Sequence, residues 1–155
     1  NDQTLLRINR GHDFTTAIDA IQRTHERGIL VGGHLILGLP GEDHDELMRQ
    51  ADVIASLPLD MIKLHQLQLI KGTRMAHEYE QTPNLFHLYT ADEYIDLAID
   101  YIERRPMTMV VERFISQSPR SLLITPDWGL KNYQFVERLK QRMKKRETWQ
   151  GRLYK

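Results

Sequence analysis

The 155-residue chain contains no cysteine. Disulfides, thiolate zinc sites, a cysteine nucleophile and a Cys-ligated iron–sulfur cluster are therefore excluded within these residues. No run approaches the roughly 18 apolar residues of a membrane span, so a transmembrane reading fails. The start, Asn1-Asp2-Gln3-Thr4, has neither the basic opening nor the apolar stretch of a signal peptide, and a cytoplasmic location is the default expectation. It also lacks an initiator Met and begins in mid-pattern, which reads as an internal or processed piece. Net charge is lacking too: 21 Lys and Arg balance 21 Asp and Glu. The balance is not local. Lys131–Lys155 carries nine basic residues against two acidic ones, a surplus of +7 that the rest of the chain offsets with −7. Such asymmetry marks either a nucleic-acid or acidic-partner contact or, more commonly, a solvated terminal helix.

What is present is the composition of an ordinary globular domain, 41% hydrophobic and 27% charged. The length suffices for one domain with a real core. Phe14, Ile18, Ile21 and His25 recur at helical spacing behind Asp13 as N-cap, with Gly28 at the far end. Ile29–Leu37 is strand-like and apolar on both parities, the pattern of a strand covered on both faces. Asp43 with Glu46 resembles a capping box, and Leu47, Ala51 and Ile54 form the buried stripe of the next helix, which Pro58 ends. Met61–Ile70 reads as a second strand and Met107–Ile115 as a third. Between them lie a short helix over Arg74–Glu80 and a longer one opened by a Thr90–Glu93 capping box and stopped by Pro106. Leu122–Ile124 reads as a brief extended stretch, and a last helix runs from about Leu130 to Arg146, ahead of a frayed end. Strands alternating with helices imply βαβ units in a parallel sheet. Three strands are few for such a sheet, so the pattern is that of the carboxy-terminal part of a larger barrel-like domain. Residues 1–128 are assigned to it and 129–155 to a basic C-terminal helix and tail.

The most informative passage is ILVGGHLILGLPGEDHDE, Ile29–Glu46. An apolar strand stops at Gly38, turns through Leu39-Pro40-Gly41 and reopens as a helix. The carboxyl ends of strands are where parallel α/β folds bind ligands. A glycine-rich turn there brings free backbone N–H groups to the positive end of a helix; its plainer reading is an ordinary βα loop. Strand parity separates the two faces of the sheet. Ile62 and Leu64 suit the helix side, which leaves Lys63 and His65 facing the lumen with His34, Ile36 and, from the third strand, Arg113. A cationic lumen of Lys63, His65 and Arg113 suits a carboxylate or phosphate. The competing reading is a snorkelling lysine and a satisfied core histidine.

Asn9-Arg10-Gly11-His12 followed by His34–Glu42 (HLILGLPGE) resembles the radical S-adenosylmethionine (SAM) enzymes, in the group that includes the Elongator catalytic subunit and oxygen-independent coproporphyrinogen oxidase. Lys63-Leu64-His65, Lys71-Gly72-Thr73 and Pro126-Asp127-Trp128 with Lys131 resemble a YhcC/YtqA-type subfamily. The resemblance implies that this chain is the later part of a partial (β/α)6 TIM-like barrel. Its parent would be an enzyme holding a [4Fe–4S] cluster on a CxxxCxxC loop, where reductive cleavage of SAM gives a 5′-deoxyadenosyl radical that acts on an unknown substrate. Arg10 matches a SAM-contacting arginine, His34 and Ile36 match positions that contact its ribose and adenine, and Gly38, Pro40 and Gly41 match the turn. The resemblance names no catalytic residue. The chain departs from the pattern twice. Its cluster loop is missing, so the chain alone is expected to be inactive and to hold no metal. His34 also stands where coproporphyrinogen oxidase has an aspartate, and imidazole cannot accept both ribose hydroxyl protons.

Two other classes compete with this reading. One is a non-catalytic interaction or scaffold domain derived from a βα barrel; the other is a lyase or aldolase using Lys63 as a Schiff-base amine. The group contains tRNA modifiers, which makes RNA a candidate partner for Lys131–Lys155. A half-barrel would also leave a strand edge open to self-association.

Overall fold

The computed structural model describes residues 1–155. Three parallel strands, β1 (Gly32–Leu37), β2 (Met61–Gln66) and β4 (Val110–Arg113), form one sheet in the order β1-β2-β4. A two-stranded antiparallel sheet pairs β3 (Leu69–Ile70) with β5 (Leu123–Thr125). Six helices accompany them: α1 (Asp2–Arg7), α2 (Phe14–His25), α3 (His44–Ala55), α4 (Arg74–Gln81), α5 (Ala91–Ile102) and α6 (Asn132–Lys145). The expected alternation of parallel strands and helices is present.

Local chemistry explains most boundaries. Asp13 accepts the Thr16 N–H at 2.8 Å and opens α2. Asp43 accepts from Glu46 N at 2.8 Å and opens α3, but the Glu46 carboxylate turns to Asn1, Arg49 and Gln50 and leaves that capping box half made. The Thr90–Glu93 box is complete. Helix α1 was not foreseen; it is a single short piece capped by Asn1.

The strands depart from expectation in three ways. β1 begins at Gly32, leaving Ile29 and Leu30 exposed outside it. Only one of its faces is covered: Gly32, His34 and Ile36 open outward, because three strands do not close around a lumen. The second strand breaks after Gln66, whose side-chain amide bonds both N–H and C=O of Ser116, and the chain resumes as β3 in the other sheet. β4 is shorter than expected and carries a bulge, with Val111 opposite Ile62 and Arg113 opposite Lys63.

The core lies between the sheet and α3, α5 and α6. Leu47, Ala51, Ile62, Leu64, Ala98, Ile99 and Phe135 are fully buried there. Phe135 and Leu139 bring α6 into this core, and Tyr94, Trp128 and Phe135 pack ring against ring. Arg105 is fully buried with its guanidinium 4.3 Å from the Tyr101 ring centre. The end of the chain is ordered by contact rather than frayed. Gly151 and Leu153 donate backbone N–H bonds to Ile102 and Glu103 carbonyls, satisfying the last groups of α5. Thr148 and Arg152 close on the Glu103 carboxylate, and Gln150 bonds the carbonyls of Pro106 and Met109.

Candidate functional site

A cavity of about 820 Å³ wraps the outer edge of β1. Side chains of both strand parities, His34, Leu35, Ile36 and Leu37, reach it, together with α1, α3 and the turn after α1. Arg10, His34, Ile36 and His65 therefore meet at one cavity, which Lys63 and Arg113 do not line. Arg10 is held out by an unusual turn: Asn9 has φ 54° and Gly11 φ 83°.

The GLPGE turn adjoins this cavity. Gly38 has φ +86°, and a Cβ there would lie 2.9 Å from Cε2 of Tyr89, so both backbone and packing demand glycine. The side on which Gly38 lacks an atom is thus filled by Tyr89. Pro40 is buried, while Gly41, φ +89°, is exposed. None of the three lines the cavity directly. The turn delivers another residue to it. Glu42 is 7% exposed; its Oε1 accepts from Gln50 Nε2 at 2.8 Å, and its Oε2 is buried without a partner. Burial pushes the Glu42 carboxyl above its ordinary range, against the pull of the Gln50 hydrogen bond. Glu46, one helical turn along, is driven the other way, down to about 2, by hydrogen bonds from Gln50, Arg49 and Asn1. One wall of the cavity therefore holds one carboxyl biased toward its neutral form beside one held ionised.

The open face of the sheet has layers set by the strand register. Gly32, Met61 and Val110 lie at the amino ends of the strands. Next come His34, Lys63 and Arg113, then Ile36 and His65. The His34 and His65 rings stack with centres 5.6 Å apart and planes 20° apart. His65 Nε2 is buried without a hydrogen-bond partner. Burial, then the neighbouring His34, Arg113 and Lys63, push this imidazole below its usual value, so it is neutral at pH 7. Lys63 Nζ meets Glu112 Oε1 at 3.0 Å. The face is therefore mixed rather than wholly cationic, and the ammonium that a Schiff base needs free is engaged. Glu112 and Glu42 are the site residues sequence reasoning missed. Glu42 stands at the end of a motif read for its glycines, and the bulge that brings Glu112 to Lys63 has no sequence signature.

The cavity is within the roughly 300–1,000 Å³ of small-molecule sites. Its apolar strand residues, the free Arg10 and the orphaned Glu42 oxygen suit a ligand with a flat apolar part and hydrogen-bond donors. The chain has no thiolate with which to hold an iron–sulfur cluster, and no three His, Asp or Glu side chains converge as a metal site. No helix is long and apolar enough to cross a membrane.

The chain is 33% identical to YtqA of Bacillus subtilis over 154 residues, covering 99% of this chain and 47% of that protein. It is 34% identical to YhcC of Escherichia coli K12 over 128 residues, covering 83% of this chain and 41% of that one. The chain thus spans about half the length of the curated relatives it matches. Its fold is that of the archaeal Methanocaldococcus infernus Elp3 with an N-terminal deletion, with a TM-score of 0.83 at 21% identity over 97% of this chain and 35% of that one. Residues 59–145, more than half of the chain, match the Radical_SAM C-terminal domain, and the chain belongs to that family.

Proposed function

We propose that this chain is the cofactor-side and substrate-side half of a radical SAM enzyme. The observation that carries the reading is the meeting of Arg10, His34 and Ile36 at one cavity beside the GLPGE turn. In this reading Ile36 supplies an apolar wall for the adenine and His34 a single hydrogen bond to the ribose. Arg10 faces the charged end of SAM, with Gly38, Pro40 and Gly41 holding the turn. The cluster belongs to an upstream segment of the parent. When bound there with SAM, it supplies reductive cleavage to a 5′-deoxyadenosyl radical that abstracts hydrogen from substrate. Lys63, His65 and Arg113 then form the substrate side. The parent is an enzyme in this account, and the isolated chain is inactive.

The test has two steps. The coding sequence upstream of Asn1 should encode a CxxxCxxC motif. The parent, reconstituted anaerobically with iron and sulfide and then reduced, should form 5′-deoxyadenosine from SAM. An upstream region without the cysteine motif would leave a binding or scaffold domain.

RNA is the proposed substrate class. Arg142 and Arg146 are spent on Asp92, Asp96 and Asp100, and Arg152 on Glu103. Lys131, Arg138, Lys140, Lys144 and Lys145 remain exposed on α6 and its start, free to meet phosphates. Charge reversal at Lys140, Lys144 and Lys145 should weaken RNA binding and flatten its salt dependence, with the fold preserved because Arg146 is left in place. Unchanged binding would remove RNA from the account.

A further inference from the structure

The bulge in β4 sets two residues, Glu112 and Arg113, against the single Lys63 of β2. A bulge re-aims side chains, and bulges are common beside functional sites. Only one of the two is matched here: Glu112 takes the Lys63 ammonium at 3.0 Å. Arg113 stands opposite Lys63 in register, is exposed, and makes no ion pair or side-chain hydrogen bond. His34, across Lys63 in the same layer, and His65, one layer on, stack ring on ring and bring no negative charge. The open face therefore carries one free, planar, bidentate donor set, held beside a neutralised Lys–Glu pair.

We infer that Arg113 is a substrate-binding residue that anchors an oxyanion, carboxylate or phosphate, with Glu112 acting as a positioning residue that keeps Lys63 from competing for it. This rests on reading the open sheet face as the substrate side. A guanidinium matches a two-oxygen anion with two parallel N–H bonds, which a lone ammonium cannot do. Committing Lys63 to Glu112 gives the face one anchor in place of two and fixes where the anion sits. His34, across Lys63 in the Arg113 layer, and His65, one layer toward the carboxyl ends, then flank the group attached to the anchored anion.

NMR on the whole chain tests this. The ring C–H signals of His34 and His65 and the Arg113 Nε–H signal are followed while inorganic phosphate and, in a separate arm, malonate are added. Saturable shifts in at least one arm are expected, and the stronger arm identifies the anion as phosphoryl or carboxylate. Arg113→Ala should weaken that binding at least fivefold. Glu112→Gln should tighten it at least twofold by releasing Lys63, an effect a merely structural role would not give. No saturable shift in either arm, or equal binding by Arg113→Ala, overturns the anchor; no tightening in Glu112→Gln overturns the positioning role. Equilibrium dialysis of the same wild-type sample with SAM separates the two readings. Binding of SAM without oxyanion binding sinks the anchor alone. Oxyanion binding without SAM sinks the cofactor reading and leaves the anchor.

Discussion

At the scale of single residues, Gly38 and Glu42 define the turn. Gly38→Ala meets two penalties: a left-handed backbone, about 1–2 kcal/mol for an L-residue, and a Cβ 2.9 Å from the Tyr89 ring. Thermal unfolding should fall by several degrees, at roughly 2–4 °C per kcal/mol for this size. Tyr89→Leu in the same chain should recover the part due to the ring; no recovery would mean that backbone strain alone is at work. Glu42 makes a prediction with pH. Its carboxyl is raised in the fold by burial, so the native state holds that proton more tightly than the unfolded chain does. Its favourable contribution is present below the ordinary carboxylate value and is lost as pH rises through that value toward the raised one. Glu42→Gln removes this dependence. Its stability relative to wild type should grow from about pH 4 to pH 7; a difference that shrank with pH would contradict the burial argument. That His34, Ile36 and His65 share the open face was legible because strand parity is a local rule, whereas Arg10 came only from the family resemblance. Glu112 was not legible, since its contact depends on a register shift between strands distant in sequence.

At the scale of elements, the C-terminal clasp has the largest consequence. Glu103 keeps 3% of its side chain exposed and is matched by Thr148 and Arg152, while the two carbonyls that end α5 are filled by Gly151 and Leu153. A chain ending at Arg146 loses these partners together and opens Glu103 and the end of α5 to water, at about 0.5–1.5 kcal/mol for each hydrogen bond lost. Urea unfolding should show this as a lower midpoint. An unchanged midpoint would mean that the tail only decorates the surface. Helices with strong caps and apolar stripes, such as α5 and α3, could be read closely at their starts, because capping and periodicity are written in adjacent residues, while α5 ends at Ile102, short of the Pro106 stop. The split between β2 and β3 could not, because the Gln66–Ser116 bonds that end β2 join segments fifty positions apart. The tail was misread for the same reason: its partners all lie on or beyond α5.

At the scale of the whole molecule, the parallel sheet has two open edges, β1 and β4, and one uncovered face. Unpaired edges invite pairing, so the isolated chain should show concentration-dependent dimers by light scattering. A strict monomer at high concentration would count against an open β1 edge. The same openness places the cavity: it wraps β1 where a neighbouring strand would dock in a fuller barrel, beside Arg10 and the GLPGE turn. The central claim is that this wall holds S-adenosylmethionine, and equilibrium dialysis of the chain against labelled SAM tests it most directly. The account predicts saturable binding by the wild type, weakened at least tenfold by Ile36→Asp with the melting temperature preserved. Equal binding by the two proteins, or none by the wild type, would contradict it.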